Sequence, residues 1–205
     1  LNEFDELGGI DPYSASKSCC ELIINSYRTM YKTNGLRYCA TARAGNVIGG
    51  GDNSPNRLVP DIFRSVRSKK VLTIRNPNHI RPWQHIFDPL YGYLILVKKN
   101  YKSGKLSDSW NFGPKTSHHK TVKDVVNSFS SLNNNFKLKF YNNNNFSESN
   151  CLKLNSFKAK KYLNWQSKFS FSETIKLTAD QYQARRSKHD MYLKCQDDIK
   201  KFLEI

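Results

Sequence analysis

Acidic residues are scarce: 17 Asp and Glu stand against 33 Lys and Arg, a formal net charge of +16. No apolar run reaches the roughly 18–20 residues that a bilayer-spanning helix needs, which excludes such a helix. The opening stretch LNEFDELGGIDP is acidic and polar, unlike a signal or transit peptide. The five cysteines, Cys19, Cys20, Cys39, Cys151 and Cys195, contain no C-x-x-C pair. Zinc spacing and a disulfide framework are therefore both missing, no metal is called for, and free thiols in a reducing cytoplasm are the simplest reading. No helix-turn-helix, zinc-finger or RNP pattern accompanies the positive charge, and the lysines are scattered through a general Lys/Asn/Tyr bias, as in NNFKLKFYNNNNF. Those gaps weigh against a nucleic-acid partner, although a basic nucleic-acid-binding module stays open as an alternative. There is no internal repeat, no long linker, and no G-x-G-x-x-G dinucleotide fingerprint.

What is present is enough apolar material for a packed core: 38% hydrophobic residues, with 11 Tyr, 12 Phe and 3 Trp. Helical spacing of Leu22, Ile23, Tyr27, Met30 and Tyr31 predicts a helix over 15–34, stopped by Asn34-Gly35. LRYCATAR predicts a buried strand, running into the loop AGNVIGGGDNSPN. A second helix carries Leu58, Val59, Ile62, Phe63 and Val66, with Pro60 in its first turn. VLTI and WQHIF read as extended, and NPNHIRP as a turn-rich loop between them. Asp88-Pro89 reads as cap and first residue of a third helix. SWNFG, FKLKFY and LKLN read as strands. Thr121 caps a helix to about Leu132, short helices start at Ser156 and Ser172, and DMYLKCQDDIKKFLEI forms a weak terminal helix. Alternation of strands and helices predicts an α/β fold.

The stretch DPYSASK places Tyr13 and Lys17 four residues apart, on one face of a helix. A free tyrosine, with a pKa of about 10, is a poor base at neutral pH, and a nearby ammonium favours the phenolate. Such a pair can take a proton from a sugar or alcohol hydroxyl as hydride leaves the carbon. The residues between are small, so a cofactor can approach the backbone. RAGNVIGGGD then puts a glycine-rich loop at the carboxyl end of a strand, where open α/β sheets bind ligands.

DPYSASK, RAGNVIGGGD, RLVPDIFR, IRNPNHIRPWQHIFDPLYGYL and WNFGP occur in the order and spacing of the extended short-chain dehydrogenase/reductases. The strings IRNPNHIRPWQH and RAGNVIGGGD most resemble the CDP-glucose 4,6-dehydratase branch of that family. The resemblance covers nearly the whole chain, weakens from about Lys115 to Phe146, and returns in ESNCLKLNSFKAKKYLNW. It implies an incomplete Rossmann-like, doubly wound parallel sheet with a small C-terminal α/β substrate lobe. All of 1–205 would be the C-terminal part of one domain, with the Rossmann portion mainly 1–50 and 83–114 and the lobe mainly 51–82 and 115–205. It also implies NAD as cofactor, CDP-glucose as substrate and a homo-oligomer for the intact enzyme. The implied setting is cytoplasmic deoxysugar and polysaccharide (O-antigen) biosynthesis. By the same resemblance Tyr13 is the base for the sugar 4-hydroxyl, and Lys17 assists it and holds the nicotinamide ribose. Ala44 and Gly45 line the nicotinamide, Asn46 bonds the substrate, and Arg57 and Arg81 take the diphosphate, a role that suits a guanidinium's paired donors. Glu148 falls near the nucleotide ribose, while His85 is structural. Two residues depart from the family's pattern: Ser147 replaces its usual histidine and Asn53 its usual tryptophan. The family's cofactor loop and water-eliminating residues are expected upstream of Leu1, which would leave the 205 residues inactive alone. A sugar-nucleotide epimerase or reductase of the same superfamily is the enzymatic alternative.

Overall fold

The structure is a computed structural model that describes residues 1–31, 38–115, 119–132, 137–141, 149–184 and 188–205. The first helix, α1, spans Pro12–Met30 and starts earlier than its apolar spacing suggests. Asp11 is the reason: its carboxylate accepts from the backbone N–H of Tyr13 at 2.9 Å and of Ser14 at 3.0 Å, and Pro12 occupies the position where a missing N–H costs nothing. The expected Asn34-Gly35 stop lies outside the described residues.

Strand β1 (Thr41–Ala44) runs into β2 (Asn46–Ile48), with only Gly45 between them. A Cβ on Gly45 would stand 2.5 Å from the Pro82 carbonyl, so the chain can switch sheets here only without a side chain. Helix α2 (Leu58–Ser68) follows, then β3 (Leu72–Arg75), β4 (Ile80–His85) and α3 (Phe87–Ser103). Next come β5 (Ser109–Phe112), β6 (His119–Thr121), α4 (Val122–Leu132) and β7 (Leu138–Tyr141). A π-helical turn at Ala159–Leu163 precedes α5 (Phe171–Gln183) and α6 (Lys188–Glu204). Strand pairs β1–β5, β2–β4 and β3–β7 are parallel, and β6 joins β4 antiparallel. This is the expected α/β architecture, with crossover helices between parallel neighbours.

Several local expectations shift. Asn46 sits in a strand, not a loop, because it pairs with Trp83. Ile80, Arg81 and Pro82, read as turn, belong to β4 and pair with β6. Asp88 lies in the first turn of α3, with Ile86 at the cap position. LKLN contributes no strand; beside it Cys151 forms an isolated bridge with Ile80, and Leu1 exchanges backbone hydrogen bonds with Lys153 and Asn155. α5 starts after Ser170, whose side chain and Glu173 form a reciprocal capping box.

Two apolar clusters organise the chain. One joins Val59, Ile62, Leu72, Ile74, Trp83, Val125, Val126, Phe129 and Ile175 between α2, β3, β4, α4 and α5. The other packs Leu96, Trp110, Phe112, Ala159, Leu163 and Trp165, carrying the 159–165 segment onto α3 and β5. Gln84 links the sheets: its Nε2 donates to the Phe112 carbonyl at 2.7 Å. α1, by contrast, buries no residue, and its apolar side chains Leu22, Ile23, Tyr27 and Met30 are exposed. It is tied to the β1–β5 pair by polar contacts. Glu21 Oε2 accepts from the Thr41 hydroxyl at 2.9 Å and the Ser109 hydroxyl at 3.0 Å, and Arg28 pairs with Asp108 at 3.2 Å.

Candidate active site

Asp11 and Pro12 set the start of α1, so Tyr13 falls in its first turn and Lys17 one turn later. The Lys17 ammonium lies 5.5 Å from the centroid of the Tyr13 ring. The two side chains thus share a face, as the spacing predicts, and Tyr13 is 70% exposed. Ala44 ends β1, in parallel register with Phe112, and Gly45 follows it. Asn46 is half-buried at the start of β2, and its side-chain amide has no hydrogen-bond partner among the described residues. Those residues include no hydrogen bond or ion pair joining Tyr13 or Lys17 to Asn46.

The chain from Asn46 to Arg57 is held from several sides. Arg64 donates to the Asn53 carbonyl at 2.9 Å and the Ser54 carbonyl at 3.0 Å, and the Tyr182 hydroxyl donates to the Asp52 carbonyl at 2.8 Å. Hydrogen bonds from Ser54 come first in holding the Asp52 carboxyl below the usual carboxylate range, with Arg57 and Arg64 adding charge. Arg57 itself is exposed, at the residue just before α2. Arg81 does something the sequence did not show. Its guanidinium donates to the carbonyls of Ile80 at 2.9 Å and Ser149 at 2.8 Å, tying β4 to the 149–151 segment. Glu148 and Ser147 lie outside the described residues.

His85 is wholly buried. Its Nδ1 accepts from the Phe87 N–H at 3.3 Å, so Nε2 carries the proton and donates to Gln181 Oε1, also at 3.3 Å. Burial pushes the imidazole down to about 4, which keeps it neutral at physiological pH. The structure therefore gives it a structural place.

The sequence reading missed Asn111. This side chain on β5 is 1% exposed, and neither amide atom has a partner among the described residues. Buried amides are rarely left so, and the cost is about 1–3 kcal/mol. A polar residue amid Trp110 and Phe112 was the available signal. A cavity of about 500 Å³ opens beyond the end of β5, walled by Gly113, Pro114, Lys115, Lys153, Lys160 and Trp165. None of the sequence-predicted site residues lines it.

The decisive comparison is with a family profile: that of the NAD dependent epimerase/dehydratase family matches residues 2–113, from the segment before the Tyr–Lys helix to the end of WNFG. The chain belongs to that family. Over 84% of its length it is 40% identical to the CDP-glucose 4,6-dehydratase of Salmonella typhimurium, and it spans 50% of that enzyme. A trifunctional UDP-glucose 4,6-dehydratase/3,5-epimerase/reductase of Arabidopsis thaliana is 26% identical over 88% of the chain, which spans 26% of it. The chain thus spans half or less of the length of these curated relatives. Among solved structures, dTDP-glucose 4,6-dehydratase of Bacillus anthracis in complex with NAD aligns with a TM-score of 0.77 at 21% identity. That alignment covers 91% of the chain and 56% of the other. A UDP-galactose 4-epimerase aligns at 0.70 and 18% identity, over 87% and 56%. These likenesses establish the Rossmann-like fold of the family.

Proposed function

We propose that this chain carries the Tyr–Lys half of a CDP-glucose 4,6-dehydratase site, with the reaction proceeding by oxidation at C4, loss of water across C5–C6 and hydride return to C6. The 40% identity to the Salmonella enzyme, over 84% of this chain, is the observation that carries the reading. Tyr13 takes the proton of the sugar 4-hydroxyl, and the Lys17 ammonium lies on the same face, 5.5 Å from its ring centroid, to assist it. Asn46 offers its unpartnered amide to the sugar. Arg57 and Arg81 neutralise the diphosphate, with Arg81 also bonded to the Ser149 carbonyl. The donor set suits the nicotinamide end of NAD: Lys17 would hold the ribose, while Ala44 and Gly45 would line the ring where β1 ends. NAD, when bound, supplies the acceptor and later the donor of hydride. The 205 residues contain no G-x-G-x-x-G turn, the usual seat of the pyrophosphate. The isolated chain should therefore bind NAD no tighter than about millimolar.

The test is a chimera in which the N-terminal half of the Salmonella enzyme precedes this chain. CDP-glucose should give a 4-keto-6-deoxy product, and Tyr13→Phe should slow turnover by about 10²–10⁴ while leaving the fold intact. Turnover of UDP- or dTDP-glucose in preference to CDP-glucose would overturn the substrate assignment. Full activity of Tyr13→Phe would overturn the assignment of the base.

A further inference from the structure

The segment after β2 reads in sequence as a glycine-rich loop. In the folded chain it is gripped from below. The Gly50 N–H donates to Gln181 Oε1 at 2.6 Å, and the His85 imidazole donates to the same oxygen. Gln181 Nε2 in turn donates to Asp198 Oδ2 at 3.0 Å, and Asp198 Oδ1 is paired with the Lys194 ammonium. Gln181 and Asp198 are each 2% exposed. The amide can point only one way. A backbone N–H can only donate and a carboxylate can only accept, so oxygen must face Gly50 and nitrogen must face Asp198. The fit is also steric: a Cβ on Gly50 would stand 2.3 Å from the Cβ of Gln181 and 2.9 Å from the terminal methyl of Met191. Gln181 belongs to α5, Asp198 and Met191 to α6, and His85 to the end of β4. Thus three elements converge on one backbone N–H.

We infer that Gln181 is a positioning residue for the Asn46–Arg57 segment, and that α6 acts on that segment through Asp198. The inference deepens the reading proposed above, because Asn46 and Arg57, at the two ends of the segment, are both assigned to the nucleotide sugar. β2 fixes the first end, Arg64 and Tyr182 hold residues 52–54, and the Gln181 oxygen anchors the middle. Without it, three successive glycines at 49–51 have no side chain with which to hold the backbone in place. The spacing of Asn46 from Arg57 is then set by a glutamine near the other end of the sequence.

Hydrogen exchange read by mass spectrometry on the 205-residue chain tests this. In Gln181→Leu, peptides spanning 45–54 should exchange roughly ten- to a hundredfold faster, as expected for a lost buried hydrogen bond. Peptides from β5 should keep their protection. The double variant Gln181→Glu/Asp198→Asn moves the charge but keeps each donor opposite an acceptor, so it should restore the loop, whereas Gln181→Glu alone should not. If Gln181→Leu does not fold, Gly50→Ala poses the same question from the loop side and should produce the same local loss. Unchanged exchange over 45–54, or failure of the double variant to restore protection, overturns the inference. Calorimetry with CDP-glucose separates it from the functional reading. Faster loop exchange with weaker CDP-glucose binding supports both. Faster loop exchange without any effect of the loop on CDP-glucose leaves the clamp standing and removes this segment from the substrate site.

Discussion

Asp88→Asn should make the chain more stable at pH 8 while leaving its stability near pH 4 almost unchanged. The Asp88 carboxyl is 1% exposed; Oδ1 accepts from the Lys168 N–H at 2.7 Å, and Oδ2 has no well-formed hydrogen bond among the described residues. Burial disfavours the carboxylate and pushes its pKa from 3.8 up to about 6. The Lys168 and Phe169 N–H groups, the Lys115 and Lys168 charges and the α3 N-terminus all favour ionisation, the last by only about 0.3–1 kcal/mol. The upward shift means that burial wins. The folded chain keeps this proton between 3.8 and about 6, where the unfolded chain has lost it. Stability therefore falls as pH rises through that window, by up to about 3 kcal/mol for a shift of roughly two units. Asparagine is neutral throughout and retains the oxygen that accepts from Lys168, so it should recover about 1–3 kcal/mol at pH 8. Urea unfolding of both proteins at the two pH values measures the difference, and the contribution of His85, common to both, cancels. A stability difference that does not change between pH 4 and pH 8 would refute the buried-carboxylate argument.

In the Asp88→Asn background the pH dependence due to His85 should become visible. The unfolded imidazole gains its proton near 6.5 but the folded one only near 4, so stability should rise with pH by roughly 1.4 kcal/mol per unit across that interval; a flat profile would count against the neutral, Gln181-bonded ring. Gly92→Ala should destabilise by about 1–3 kcal/mol, because its Cβ would stand 2.3 Å from Phe112 Cδ1 and 2.9 Å from Trp165 Nε1. A thermal melt that matches wild type would mean that α3 does not lie so close to β5.

Much of the local structure is legible in the sequence because its causes are local. Asp11 caps the helix that Pro12 begins within one turn of chain, and the spacing of Tyr13 from Lys17 then puts both on one face. Thr121 with Asp124 closes its own cap within a single turn. Short β-branched or aromatic runs such as VLTI and SWNF become strands as expected. Even the family is carried by short strings in order.

What the chain alone leaves open is whatever a distant partner decides. Asn46 looks like a loop residue until β4 supplies Trp83 beside it. Arg81 looks like a free phosphate ligand until the Ser149 carbonyl, 68 positions away, claims part of its guanidinium. LKLN has strand-like composition but receives only isolated backbone bonds, such as Leu152 N–H to the Ile80 carbonyl and Asn155 N–H to the Leu1 carbonyl, and not a ladder. The glycines at 49–51 read as freedom, yet Gln181, 131 residues from Gly50, turns that freedom into a fixed backbone. Helix starts and alternating strands are short-range physics, decided by steric and hydrogen-bonding choices within a few residues. The pinned loop, the neutral His85 and the protonation of Asp88 depend on which groups burial brings together, and only the tertiary structure decides that.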